Sequence, residues 1–271
     1  MFTISFKISS FHSDGFLLLP GLLSQSELGK ISDEYDSMFE RKKKEGGRLE
    51  GAWSGSWSKE GSTQSVLSIH NLQQHSSVFT NLLLHPGLMD CLEDLLEGSV
   101  VLHHTKAHLK PPKEGAPFPT HQDYHYFPYK NHSMLAVFIH LDDTAPANGG
   151  LAVFPGSHQA GPQPDVSTSQ GVHYLDQDQW PLSDATPVVA RAGDVLIFSY
   201  LLVHGSYPNT SDHTRRMFLI QVAEGGDVSM SGQHRSPGAG MVLRGTNYSM
   251  IADLDKRHLV EEEETISGDK N

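Results

Sequence analysis

Cysteine is nearly absent: Cys91 stands alone in 271 residues. No intrachain disulfide can form, and a single thiol suits a reducing compartment. Long apolar runs are missing too. The best candidate, Phe16 to Leu23, is short and broken by Pro20 and Gly21, so no membrane-spanning helix is expected. Basic residues are scarce, 20 Lys and Arg against 32 Asp and Glu, for a formal charge of -12. That balance excludes nucleic acid as a partner, because phosphate contacts need clustered Lys and Arg. The one basic run, Arg41-Lys42-Lys43-Lys44, follows a helical pattern and reads as a solvated helix end; docking of an anionic group is its other use. A basic stretch leading into an apolar segment is absent at the N-terminus, and Asp269-Lys270-Asn271 is not a Ser-Lys-Leu ending. The expected location is therefore the cytoplasm, with the three Asn-x-Ser/Thr sequons at Asn131, Asn209 and Asn247 unmodified.

What is present organises into two halves. Phe11 to Leu19 reads as a segment entering a strand, stopped by Pro20-Gly21. Ser24 and Glu27 form a capping box that opens a helix, with Leu28, Ile31, Tyr35, Met38 and Phe39 on one face and an end near Glu45. Residues 46–65 are rich in Gly and Ser and carry Trp53 and Trp57; a loop of that length suits an active-site lid, an ordinary packed loop or a mobile segment. Pro86 starts a second helix, with Leu88, Leu92, Leu95 and Leu96 apolar and Gly98 ending it.

From Ser99 onward the pattern is short strands and turns. Strands are expected near 100–109, 134–140, 151–154, 188–191, 194–200 and 215–222. That favours a mainly β sandwich or jelly roll over alternating β and α units. One domain covers 1–260, and 261–271 is an acidic solvated tail. Nothing in the sequence sets an oligomeric state.

The chemistry concentrates in Pro119-Thr120-His121-Gln122-Asp123-Tyr124-His125-Tyr126-Phe127-Pro128. In extended chain His121 and Asp123 project to one side and can share a metal ion. The triplet alone is weak evidence. With 17 His and 32 acidic residues in the chain, about two His-x-acid triplets arise by chance, and His12-Ser13-Asp14 and His140-Leu141-Asp142 also occur. Those two read as structural. What strengthens the middle pair is His204 in a turn after an apolar strand, then Arg215 opening another apolar strand. Two histidines and one carboxylate form the facial triad of non-haem Fe(II) oxygenases. A buried arginine needs an anion, and its planar fork suits a carboxylate.

Here the chain resembles the phytanoyl-CoA dioxygenase family of Fe(II)/2-oxoglutarate oxygenases. The matching residues are 121–128, Asn148-Gly149-Gly150-Leu151, Pro155-Gly156-Ser157-His158, Gly193-Asp194, His204-Gly205-Ser206 and Arg215, with Asp14-Gly15-Phe16 at the entry. The resemblance spans residues 11–222. It implies a double-stranded β-helix with N-terminal helices against the major sheet. It also implies that His121, Asp123 and His204 bind Fe(II), and that Arg215 with the Ser206 hydroxyl holds the far carboxylate of 2-oxoglutarate. Arg216 faces the other way. The implied reaction consumes O2 and 2-oxoglutarate, releases succinate and CO2, and hydroxylates a small molecule, lipid-derived or acyl substrate; ascorbate supports such activity.

Two departures stand out. A lysine that touches 2-oxoglutarate in the family's acyl-CoA hydroxylases is replaced by Ser68, and a tryptophan by Ile139. Lys106 is the expected replacement cation. Asp123 argues against halogenation, where chloride takes the carboxylate's place. A sensor or partner-binding module that binds metal or 2-oxoglutarate without turnover is the alternative, and a cupin-like zinc hydrolase the third reading, which leaves Arg215 unexplained. Tyr124, His125, Tyr126 and Phe127 follow the motif and can line a cavity or pack on helices. His104 and His108 carry the same ambiguity.

Overall fold

The structure is a computed structural model; it describes residues 4–45, 50–51, 66–168, 172–231 and 236–248. Helix α1 (Ile4–Asp14) and strand β1 (Phe16–Leu19) replace the single segment expected at 11–19. The break is Gly15, whose φ of +82° an L side chain rarely adopts and whose added Cβ would meet the His158 ring at 2.4 Å. Helix α2 (Gln25–Lys44) carries the capping box from Ser24 and Glu27, and its buried face is the expected one. Its basic end is largely solvent-exposed: Arg41 pairs with Glu34, and Lys42 lies 4.0 Å from Glu45.

Strands β2 (Glu50–Gly51) and β3 (Leu67–His70) precede helices α3 (Ser77–Leu83) and α4 (Pro86–Leu96). Helix α4 starts at its proline, as expected, but the left-handed residue that closes it is Glu97, one before Gly98. The remaining strands are β4 (Val100–Lys110), β5 (Phe118–His121), β6 (Leu135–His140), β7 (Leu151–Val153), β8 (Thr186–Pro187), β9 (Val195–Ser199), β10 (His204–Ser206), β11 (Arg215–Glu224) and β12 (Val242–Arg244). The strand expected at 188–191 is instead the two-residue β8 and a lone bridge from Ala190 to Thr144.

All pairings are antiparallel. The major sheet runs β1-β9-β6-β11-β4-β3-β2, with β12 on β4; the minor sheet runs β5-β10-β7-β8. This is the mainly β, jelly-roll arrangement expected from the turns. Strand alternation divides the major sheet's faces. Leu135, Val137, Ile139, Val195, Ile197, Phe218 and Ile220 join Leu28, Tyr35, Phe79 and Leu88 in one core under the helices. Ala136, Phe138, Leu196, Phe198, Met217 and Leu219 face the minor sheet in a second core with Leu151 and Val153. Tyr35 pins α2 to the sheet, donating its hydroxyl to the His108 carbonyl at 2.8 Å.

Ile139 belongs to the helix-side core, so it cannot stand in a cosubstrate position; Phe138 and His140 face inward on that strand. Among the described residues no helix is long and apolar enough to cross a membrane. The Trp-containing stretch 52–65, the sequon serine Ser249 and the acidic tail lie outside the described residues. The Asn209 sequon is structural: its amide is fully buried and donates to the carbonyls of Lys110 and His213.

Candidate metal centre and cosubstrate cavity

His121 ends β5 and pairs directly with His204 at the start of β10, which places the two rings 4.2 Å apart between centroids. Gln122 is extended (φ -119°, ψ 137°), so Asp123 falls on the same side as His121 although a 3-10 turn begins there. Gln122 itself points away and is tied down: its amide donates to the carbonyls of Leu201 and Gly161 and accepts from the Gln163 N–H. The i, i+2 geometry therefore survives the end of the strand.

One donor atom from each of His121, Asp123 and His204 lies within 4.8 Å of the others. Asp123 Oδ1 is 3.7 Å from His121 Nε2 and 3.9 Å from His204 Nε2. Each ring has its Nδ1 against a backbone carbonyl, Pro119 at 2.8 Å and Leu202 at 2.9 Å. Those contacts put the proton on Nδ1 and turn both Nε2 lone pairs toward Asp123. Burial lowers His121 and His204 to about 4, so both are neutral donors at pH 7. Burial raises Asp123, against the opposing pull of His121, the Gln221 hydrogen bond and Lys106. Gln221 Nε2 donates to Asp123 Oδ2 at 2.7 Å and leaves Oδ1 facing the histidines. Two neutral imidazoles and one carboxylate oxygen fit Fe(II).

The triad opens into a cavity of about 260 Å³ between the sheets. One end is cationic. Arg215, at the start of β11, pairs directly with Lys110 at the end of β4, and both are buried. Lys110 Nζ donates to Ser206 Oγ at 2.7 Å and to the Tyr207 carbonyl at 2.6 Å, and lies 5.4 Å from the Phe118 ring centre. Arg215 donates to the Gly149 carbonyl at 2.9 Å, while its Nε has no partner. Gly149 has a φ of +85°, and a Cβ there would meet the Lys110 side chain at 2.7 Å, so the turn must be glycine.

Neither cation has a carboxylate partner among the described residues. Burial, and then Arg215, hold Lys110 well below the usual lysine range; burial brings Arg215 down to about 10. Two buried, adjacent cations are costly unless an anion joins them. The orphaned Arg215 Nε and the chemistry of this pair fit a carboxylate.

Lys106 does not reach this place. It lines the cavity, but it lies four residues, about 13 Å, along β4 from Lys110. Thus the cation beside Ser206 is Lys110, which sequence reasoning passed over; its parity with Lys106 was the available signal. Ser68, opposite His108, brings no charge. Arg216 faces away as expected and pairs with Asp142 and Asp36, which also makes the His140-x-Asp142 triplet structural. His104 and His108 both line the cavity, as do Tyr126 and Phe127. His125 does not: the 3-10 turn cancels its strand parity, and its Nε2 lies 2.9 Å from the Gln163 carbonyl. Tyr124 packs on His132 and Tyr200.

Comparison with known proteins converges on the same class. The family model described as phytanoyl-CoA dioxygenase matches residues 11–217. The chain belongs to the phytanoyl-CoA dioxygenase family. It is an oxygenase dependent on Fe(II) and 2-oxoglutarate. Over 210 residues it is 30% identical to a "probable alpha-ketoglutarate-dependent hypophosphite dioxygenase" of Stutzerimonas stutzeri, covering 74% of this chain and 68% of that protein. Identity to the L-proline trans-4-hydroxylase of Streptomyces griseoviridis is 27% over 229 residues, 76% of this chain and 81% of that one. Among solved structures, the epimerase SnoN from nogalamycin biosynthesis superposes with a TM-score of 0.70 at 20% identity, over 89% of this chain and 98% of that one, a likeness of fold.

Proposed function

We propose that this family member oxidises a small molecule, with His121, Asp123 and His204 holding Fe(II) and with Arg215, Lys110 and Ser206 holding the far carboxylate of 2-oxoglutarate. The observation that carries the second half is the Arg215–Lys110 pair, buried side by side with no carboxylate partner among the described residues. Bound iron with 2-oxoglutarate and O2 supplies the oxidising chemistry, releasing succinate and CO2. The chain's own part is positional. Pro119 and Leu202 fix the imidazole tautomers, Gln221 presents one oxygen of Asp123, and the walls from Phe118, Phe138, Leu151 and Met217 exclude water from the carboxylate end.

The two relatives are named for unlike substrates, an inorganic phosphorus oxyanion and an amino acid, so family membership leaves the prime substrate open. A lone cysteine, Cys91, supports a reducing compartment such as the cytoplasm.

The test is succinate formation from 2-oxoglutarate by purified protein with Fe(II), ascorbate and O2, beside His121→Ala and Arg215→Ala. We expect slow succinate release without prime substrate, abolished in both variants, with iron binding lost only in His121→Ala. A protein that binds no iron refutes the reading.

A further inference from the structure

Parity puts His108 on the same face of β4 as Lys110, one inward step, about 7 Å, along the strand toward the triad. It pairs with Met217, between the level of Arg215 and that of Gln221, the residue that holds Asp123. The His108 ring lines the cavity and stacks on Phe118, with centroids 5.7 Å apart and planes 17° from parallel. The same Phe118 ring lies under Lys110 Nζ, so the imidazole and the ammonium share one aromatic floor.

Stacking accounts for the ring's faces and leaves its nitrogens unexplained. His108 Nε2 is buried and has no hydrogen-bond partner among the described residues. Such an atom is costly until a ligand supplies the missing partner. Burial, and after it the charges of Lys106, His70, Arg215 and Lys110, hold His108 well below the usual histidine range, so the ring is neutral at pH 7.

The hydrogens around this place can be counted. Arg215 Nε has no partner among the described residues. Lys110 commits two of its ammonium hydrogens to Ser206 and the Tyr207 carbonyl, and the third remains. Ser206 Oγ accepts from Lys110, so its own hydrogen is left to donate. An ionised carboxylate only accepts, at about four lone-pair sites. Arg215, Lys110 and Ser206 fill three of them. His108, with its single ring proton on Nε2, fills the fourth.

We propose that His108 is a cosubstrate-binding residue, its Nε2–H donating to the far carboxylate of 2-oxoglutarate beside Arg215, Lys110 and Ser206. This deepens the oxygenase reading and rests on it. A neutral donor suits the position. Arg215 and Lys110 already bring two positive charges to one carboxylate, so a third buried cation would go uncompensated, whereas a neutral N–H adds direction without charge.

The experiment is an anaerobic calorimetric titration of the full, iron-loaded chain with 2-oxoglutarate and with 2-oxovalerate, which has a methyl group in place of the far carboxylate. Wild type is set beside His108→Phe, which keeps a ring for the Phe118 stack, and His108→Gln, whose amide keeps a donor. A hydrogen bond to a charged group sets the scale: 2-oxoglutarate should bind at least tenfold more weakly in His108→Phe and recover in part in His108→Gln. Binding of 2-oxovalerate should be alike in all three proteins, and iron affinity, read by chelator competition, should not change. A smaller loss of 2-oxoglutarate affinity in His108→Phe overturns the proposal and leaves the ring a packing residue. So does an equal loss for both keto acids, or a matching fall in iron affinity. Wild-type protein that fails to load iron or 2-oxoglutarate overturns the oxygenase reading instead, so the two failures are separate.

Discussion

Replacing Lys110 by Met keeps most of the stem and removes the ammonium. Two effects then oppose each other in the free protein. The Ser206 hydroxyl and the Tyr207 carbonyl lose their donor, at about 1–3 kcal/mol for each buried group left unsatisfied. Against that, a cation buried beside Arg215 disappears, and its desolvation costs several kcal/mol when unpaired. The expected stability change in the absence of cosubstrate is therefore small. Binding has no such compensation. A charge-assisted hydrogen bond to the far carboxylate contributes about 1.5–3 kcal/mol, so the affinity for 2-oxoglutarate should fall roughly 10- to 150-fold. Calorimetry on the iron-loaded, oxygen-free protein measures this directly.

The same titration carries a second signature. Burial and Arg215 push Lys110 down, and the arriving carboxylate pushes it back up by favouring its charged form. Wild-type binding should thus take up a fraction of a proton, seen as a dependence of the heat on the buffer's ionisation enthalpy. Lys110→Met should lose that dependence. A 2-oxoglutarate affinity within threefold of wild type, with proton uptake intact, would refute the role assigned to Lys110.

Gln221→Leu removes the donor on Asp123 Oδ2 and should weaken iron binding about tenfold, in the range for partners that orient metal ligands; a competition titration with a chelator reads it. Arg215→Met should abolish detectable 2-oxoglutarate binding, whereas Arg216→Met, which breaks only the pairs with Asp142 and Asp36, should leave that affinity alone and lower stability by about 1 kcal/mol. His140 is buried with its Nε2 unpartnered, and burial with Arg215 takes it to about 3, below its unfolded value. The unfolded chain therefore binds the extra proton first, and stability is lost as pH falls below about 6.5, by about 2 kcal/mol at pH 5. Denaturant melts of iron-free protein from pH 7.5 to 5 should show that loss added to those of His121 and His204, and His140→Gln should make the slope shallower by His140's share alone.

The legible parts of this molecule were those encoded over short range. Ser24 and Glu27 announce α2 because the capping box closes within one turn, and Pro86 announces α4 for a similar reason. His121 and Asp123 were legible as a pair because a two-residue spacing survives one extended residue, Gln122. The short strands β3, β5 and β10 were not, since three or four residues hold no periodicity; their partners across the barrel make them strands. Of the two uses open to His125, lining the cavity or packing, the turn at Asp123 decides for packing, because parity counts only while the chain stays extended.

Lys110 shows where local reading stops. Lys106 and Lys110 share one face of β4 by parity, and nothing in the sequence ranks them. What ranks them is register. Arg215 lies against Lys110, and the pairing steps residue by residue from there to the bulge at Gln221 and Val222, carrying Lys106 opposite Leu219. Like charges placed directly opposite each other on adjacent strands repel, and burial removes the water that would screen them. A chain that nevertheless buries this pair, and spends Gly149 to let Lys110 pass, has built the two positions for an anion that is not its own.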